Sequence, residues 1–263
     1  MSNLGALVVH GLFEHEGRHK DNVEWLKNLG IETYSLNLPG HGDIDKKGHI
    51  ETWDENIEAI VNAYNKIANK DKKIIFAHSY GSLVSVSAIL REKIDPDYLI
   101  LSAPHFDDNY PKFVKNMSGT MAKVFPKLRA PSPVNRRNLS TDKETVDNYF
   151  NDPLVFRSLT FKFGNEITVE QKFVNENINK LKIPTLVLHG DKDKIVPIKA
   201  SENISKLENV KFIIVENSKH EILNQDTRTF VLSEIHYWFK EKDRKSTRLN
   251  SSHSQQSRMP SSA

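Results

Sequence analysis

Short apolar runs of strand length alternate along the chain with segments whose apolar residues recur at helical spacing. Ala6–His10, Ile31–Leu38, Ile74–Ala77, Tyr98–Pro104, Ile183–Gly190 and Val210–Glu216 have the first pattern and are predicted strands. Val23, Trp25, Leu26 and Leu29 predict a helix that ends at Gly30. Trp53, Ile57, Ile60, Val61, Tyr64 and Ile67 predict a second helix, and Leu83, Val84, Val86, Ser87 and Leu90 a third, buried one. Asp226 to Lys240 closes the series with Phe230, Val231, Ile235, Trp238 and Phe239. Strands that alternate with helices imply right-handed crossovers and a mostly parallel, doubly wound sheet covered on both faces.

The alternation stops between His105 and Leu181. This stretch carries its own helical stripe, Tyr110, Phe113, Val114, Met117, Met121, Val124, Phe125 and Leu128, followed by the loop-like "RAPSPVNRRNLSTD". The expected organisation is an α/β core from 1–104 and 182–242 with a helical cap inserted over 105–181. Phe113, Met117, Met121 and Phe125 either line a pocket or pack the cap onto the core. Lys112, Lys115, Lys123, Lys127 and Arg129 intersperse the stripe, as a solvated face or as a contact with an anionic lipid surface.

The stretch "KKIIFAHSYGSLVSVSAIL" places Ser79 at the seam between a predicted strand and a predicted helix. Reactive groups in a doubly wound sheet collect beyond the carboxyl ends of its strands. "AHSYG" approximates G-x-S-x-G, a turn that thrusts a serine outward while small neighbours let strand and helix approach. A plain strand–helix turn has the same local pattern. A serine nucleophile also needs a base and an acid to orient that base. "DKDKIVP" follows one later strand and offers Asp191 and Asp193; "NSKHEILNQ" follows the next and offers His220. The order Ser, Asp, His and the placement past strand ends suit an α/β-hydrolase.

Charge narrows the partners. The chain has 37 basic and 34 acidic residues among 263, but four of the basic and one of the acidic fall after position 242, leaving 33 of each. A balanced body has no global field to recruit nucleic acid. The segment from Asp243 to Ala263 resembles a translated sequencing-adapter sequence in "DRKSTRLNSSH" and is expected to be a disordered tail. With no cysteine there is no thiolate metal site and no cysteine nucleophile. No signal peptide or membrane span is read, so a cytoplasmic location is expected.

Several segments together resemble the monoacylglycerol lipase/lysophospholipase group of α/β-hydrolases, serine-aminopeptidase-like hydrolases in their bacterial short form. "HGLFEHEGRH" resembles HGxxEHxxRY, "NLPGHG" resembles DLPGHG, "AHSYGS" resembles GHSMGG and "LSAP" resembles LSSP. "PTLVLHGDKDKIVP" resembles the segment that bears the family's acid. Ala77 and Ser82 stand where the family has glycine, Asn37 where it has Asp, and His19 where it has Tyr.

The resemblance implies Ser79 as nucleophile, His220 as general base, Asp193 as the acid, and an oxyanion hole from the backbone N–H groups of Leu12 and Tyr80. It implies a small lipid ester as substrate, a transient membrane-surface contact through the cap, and neither cofactor nor metal. Glu14, His15 and Arg18 are expected to fix the loop that carries Leu12, and His78 to point away from the nucleophile. A short-chain esterase or thioesterase, a proline-type aminopeptidase and a non-catalytic binding protein on the same fold are the competing readings.

Overall fold

A computed structural model describes residues 3–42, 45–108, 119–224 and 226–256, with side chains as far as Lys242. Six strands form one parallel sheet in the order β2-β1-β3-β4-β7-β8. They are β1 (Leu4–Val9), β2 (Glu32–Leu36), β3 (Lys72–His78), β4 (Tyr98–Ser102), β7 (Thr185–Gly190) and β8 (Val210–Val215). The chain starts in the sheet interior, steps outward to β2 and returns across β1 to β3. That reversal makes the crevice beyond β1 and β3 the switch point at which ligands bind.

Register brings the carboxyl ends level. Val9 pairs with Ala77, His78 with Ser102, Ser102 with Leu188, and Gly190 with Val215. Residues at and just beyond these ends therefore share one rim.

Strand alternation sorts the core into two layers. Leu7, Val9, Ile75, Ala77, Leu99, Leu101 and Val187 face α2 (Asp54–Tyr64) and α3 (Tyr80–Leu90). Ala6, Val8, Ile74, Phe76, Ile100, Leu186 and Leu188 share the other layer with Leu26 of α1 (Lys20–Asn28) and with Val231, Ile235 and Trp238. α3 is buried along nearly its whole length, which is why it carries small and apolar residues on every side.

Between β4 and β7 lie the antiparallel pair β5 (Arg129–Pro131) and β6 (Ser158–Thr160), α4 (Lys143–Asn151) and α5 (Phe161–Asn177). Only part of the expected cap stands apart. Phe163, Ile167 and Val174 of α5, with Ile178 and Leu181, belong to the layer that holds α3. Leu139, Val146 and Tyr149 make a separate small cluster.

The described end of the cap stripe faces outward: Val124, Phe125 and Leu128 are more than half exposed. Met121 is half-buried, and the rest of that stripe, Tyr110, Phe113, Val114 and Met117 with Lys112 and Lys115, lies outside the described residues. The tail differs from expectation as well, because the helix that starts at Arg228 (α6) continues to Gln256. Its first turns are anchored on the core by Val231, Ile235 and Trp238, and propagating a nucleated helix costs far less than starting one.

Candidate active site

Ser79 sits between the end of β3 and the start of α3 with φ 49° and ψ −115°. That left-handed conformation costs a non-glycine residue about 1–3 kcal/mol and persists only where its surroundings enforce it. They do so by hydrogen bonds. The Ser79 N–H donates to Ser102 O at 2.8 Å, and Ser79 O accepts from the His105 N–H at 3.1 Å. A side chain at Gly81 would lie 2.5 Å from His10 O and 2.6 Å from Val9 O, so only glycine lets α3 approach β1 here. Both departures from the family elbow are accommodated. Ala77 is fully buried, and the Ser82 hydroxyl donates to its carbonyl at 3.1 Å.

His220 reaches Ser79 from the loop after β8. Its Nε2 is 3.0 Å from Ser79 Oγ and its Nδ1 is 2.7 Å from Asp193 Oδ2. Gly190 makes this approach possible, since a Cβ there would collide with the carbonyl oxygens of Ser218 and Lys219. Asp193 is held in turn: its Oδ1 accepts the N–H groups of Ile195 at 2.9 Å and Val196 at 3.0 Å. His189 Nε2 lies 3.3 Å from Asp193 Oδ2. Asp191, the other carboxylate of this loop, is exposed and instead accepts the Ser218 N–H at 3.1 Å.

Burial acts to lower the His220 pKa, but the Asp193 carboxylate, helped by Glu221 and Glu14, outweighs it and the net shift is upward from 6.5. Burial pushes the Asp193 carboxyl up, and the His220 and His189 rings override it, so Asp193 stays ionised below the usual carboxylate range. The pair therefore favours an imidazole ready to accept a proton beside a permanently charged carboxylate.

The loop after β1 is organised by Glu14. Its Oε1 accepts the Gly11 N–H at 2.5 Å and lies 2.9 Å from His19 Nε2, while Arg18 Nε donates to its Oε2 at 2.9 Å. His10 Nε2 accepts the Leu38 N–H at 3.0 Å, which leaves Nδ1 to donate to Gly11 O at 2.7 Å. Phe13 turns the loop with φ 72°. Leu12 lines the cavity beside Ser79. Tyr80 opens α3, with its ring buried against His41 and edge-on to Trp53 and Phe163.

His78 does not point away from the site as expected. It lines the cavity and its ring centroid is 4.9 Å from that of His220. Burial, then the His220 charge, lowers its pKa to about 4, so it stays neutral under its neighbour. Sequence reading also missed Glu221, whose partner Arg18 lies 203 residues away, and Tyr149, which packs under Arg18. Nothing local in the sequence marks either one.

A cavity of about 380 Å³ opens above Ser79 and His220. Leu12, Pro131, Val134, Leu139, Leu159 and Ile167 supply much of its apolar wall. The described end of the cap stripe contributes nothing to it; its lining comes from residues 130–168 and the loops of the core.

A parallel sheet with a strained serine at the switch point, backed by a buried imidazole and carboxylate in Ser, Asp, His order, defines a serine hydrolase of the α/β-hydrolase fold. The chain belongs to the serine aminopeptidase S33 family, whose model matches residues 5–227. It is 26% identical to a monoacylglycerol lipase of Mycolicibacterium smegmatis over 89% of this chain and 86% of that protein. It is 25% identical to the phospholipase YtpA of Bacillus subtilis, over 84% and 89% of the two chains. The crystal structure of the Paleococcus ferrophilus monoacylglycerol lipase superposes with a TM-score of 0.81, covering 89% of this chain and 93% of that one at 24% identity.

Proposed function

We propose that the protein hydrolyses carboxylic esters of monoacyl lipids, monoacylglycerols or lysophospholipids, through an acyl-enzyme on Ser79. The observation that carries this reading is the hydrogen-bonded relay Asp193–His220–Ser79 at the mouth of an apolar cavity. His220 Nε2 takes the hydroxyl proton as Ser79 Oγ attacks the acyl carbon. Asp193 holds the opposite ring nitrogen protonated and stabilises the imidazolium. The oxyanion is received by the N–H groups of Leu12 and Tyr80, each worth on the order of 3 kcal/mol in the transition state. His220 returns the proton to the departing alcohol, then activates water to release the acid.

The acyl chain occupies the apolar cavity, in keeping with relatives that are a monoacylglycerol lipase and a phospholipase. The two glutamates on the cavity wall, Glu14 and Glu221, are both ion-paired to Arg18. The outward Val124, Phe125 and Leu128, interspersed with Lys123 and Lys127, suit transient contact with a lipid surface. No helix among the described residues is long and apolar enough to cross a membrane.

The test compares turnover of a monoacylglycerol, lysophosphatidylcholine and p-nitrophenyl butyrate by the wild type and Ser79→Ala. The reading expects fatty-acid release from at least one of the two lipids and none from the variant. Turnover of the short ester alone would refute the lipid assignment.

A further inference from the structure

The proposed site is assembled from stretches far apart in the chain: the loop after β1 that carries Leu12, the loop after β8 that carries His220, and α4. One buried side chain touches all three. Arg18 Nε donates to Glu14 Oε2 at 2.9 Å, its Nη2 donates to Glu221 Oε2 at 3.2 Å, and its guanidinium lies 4.7 Å from the centre of the Tyr149 ring. The three charged side chains are 8%, 2% and 3% exposed.

The two carboxylates connect directly to the reacting groups. Glu14 Oε1 holds the N–H of Gly11, the residue before Leu12. Glu221 follows His220, its own N–H donates to Leu139 O at 3.2 Å, and Asn224 Nδ2 donates to its Oε2 at 2.6 Å.

We infer that Arg18 and Glu221 are positioning residues that hold the Leu12 donor and the His220 base at one fixed separation. The inference rests on the reading of the site given above. Neither residue touches the acyl group or the Ser79 hydroxyl; both act through their neighbours. Two buried carboxylates repel each other, and Glu14 acts to raise the Glu221 pKa. Against burial, Arg18 holds Glu221 below the usual carboxylate range, and His19, followed by His78 and Arg18, holds Glu14 well below it. Ionised Glu14 can then grip the Gly11 N–H as a short charge-assisted bond.

Glu14, Arg18 and Glu221 all lie outside the strands. Their placement bears on the chemistry, because an oxyanion donor or base displaced by about 1 Å forfeits on the order of 10²-fold in rate. The charged and titratable groups that face His220 are Asp193 from the loop after β7, His78 from the end of β3, Glu14 from the loop after β1, and its own neighbour Glu221. Removing the Glu221 charge therefore lowers the pH at which the base becomes protonated.

The experiment measures kcat and KM of the full chain on p-nitrophenyl butyrate from pH 5 to 9 for the wild type, Arg18→Lys, Glu221→Gln and the double variant, with melting temperatures alongside. Arg18→Lys is expected to lower kcat by about tenfold or more with KM within about threefold, since the geometry of the reacting groups changes while Arg18 itself lines no part of the cavity. Glu221→Gln keeps the shape and an acceptor for Arg18; it is expected to lower kcat less and to move the acid limb of kcat/KM to lower pH. The double variant is expected to be no slower than Arg18→Lys, as for two residues acting as a unit.

Variants that keep wild-type kcat and an unmoved acid limb, at whatever melting temperature, overturn the inference and leave Arg18 a structural residue. If Arg18→Lys does not fold, the acid limb and kcat of Glu221→Gln decide alone. A wild type that neither turns over the ester nor labels at Ser79 with a fluorophosphonate overturns the proposed function and this inference together. A wild type that does both, with variants that match it, overturns this inference only.

Discussion

Replacing Asp193 by Asn keeps the shape of a buried side chain and removes its charge. The consequence follows from who donates to whom. Asp193 Oδ1 accepts from the backbone N–H groups of Ile195 and Val196, and those two donors admit only the carbonyl oxygen of an asparagine. The amide nitrogen is thereby turned toward His220 Nδ1, where Oδ2 stands at 2.7 Å. An N–H in that position makes Nδ1 an acceptor and moves the ring proton to Nε2. Nε2 then meets Ser79 Oγ, 3.0 Å away, as a donor and cannot take the hydroxyl proton. The imidazolium also loses its counter-charge, worth about 4 kcal/mol at a charge separation of about 4 Å and an effective dielectric of about 20. That alone is a factor of about 10³ in rate, and the wrong tautomer extends it to about 10³–10⁴.

Steady-state turnover of p-nitrophenyl butyrate at pH 8 measures it. The expected result is this fall in kcat with KM within about threefold, because the cavity walls are untouched. Asp191→Asn, whose Oδ1 only closes a turn through the Ser218 N–H, is the control and should stay within about twofold. Asp193→Asn retaining a tenth or more of wild-type kcat, or Asp191→Asn falling as far, would refute the reasoning.

The remaining predictions concern pH, packing and the surface. His220 must be neutral to act, and its pKa is raised, so kcat/KM should fall with acid through a midpoint above 6.5; a midpoint below that value contradicts the Asp193 contact. His41 and His78 are buried and neutral, each with its pKa lowered to about 4 from 6.5, so the unfolded chain binds more protons than the folded one between those values. Stability should therefore rise with pH through that window. Each ring contributes about 2 kcal/mol between pH 5 and pH 7, read as a shift of the urea midpoint. Gly81→Ala drives a methyl into the Val9 and His10 carbonyls and should abolish labelling of Ser79 or the fold itself, so a soluble, fully labelled variant would contradict the elbow. Phe125→Asp, at an exposed position away from the cavity, should weaken binding to anionic lipid vesicles and leave p-nitrophenyl butyrate turnover within about twofold.

Six strand segments and the rim that carries the reactive groups were legible because the sheet is parallel and buried on both faces. Its strands then read as apolar runs, and each functional residue falls just past one of them. Ser79 and His220 needed only that placement and their order. Choosing Asp193 over Asp191 needed the resemblance to known hydrolases, and the distances separate the two carboxylates by their partners. The strut through Arg18 was out of reach of sequence reading, because Glu221 and Tyr149 meet it only after the chain has folded back across 203 and 131 positions. The sequence left open whether the cap stripe lines a pocket or packs on the core, for a physical reason. An apolar periodicity shows that a helix has an apolar face without showing what that face meets, and Val124, Phe125 and Leu128 turn outward while loop residues such as Pro131 and Val134 line the cavity. The tail's composition suits disorder, while its backbone as far as Gln256 continues a helix already anchored on the core.

The central claim is that His220 activates the Ser79 hydroxyl. Reaction with a fluorophosphonate, followed by mass spectrometry of the intact chain and its peptides, tests it most directly. The account predicts one phosphonyl group per chain, attached to Ser79, with the adduct lost in His220→Ala and in urea-unfolded protein. No adduct, an adduct elsewhere, or undiminished labelling of Ser79 without His220 would contradict it.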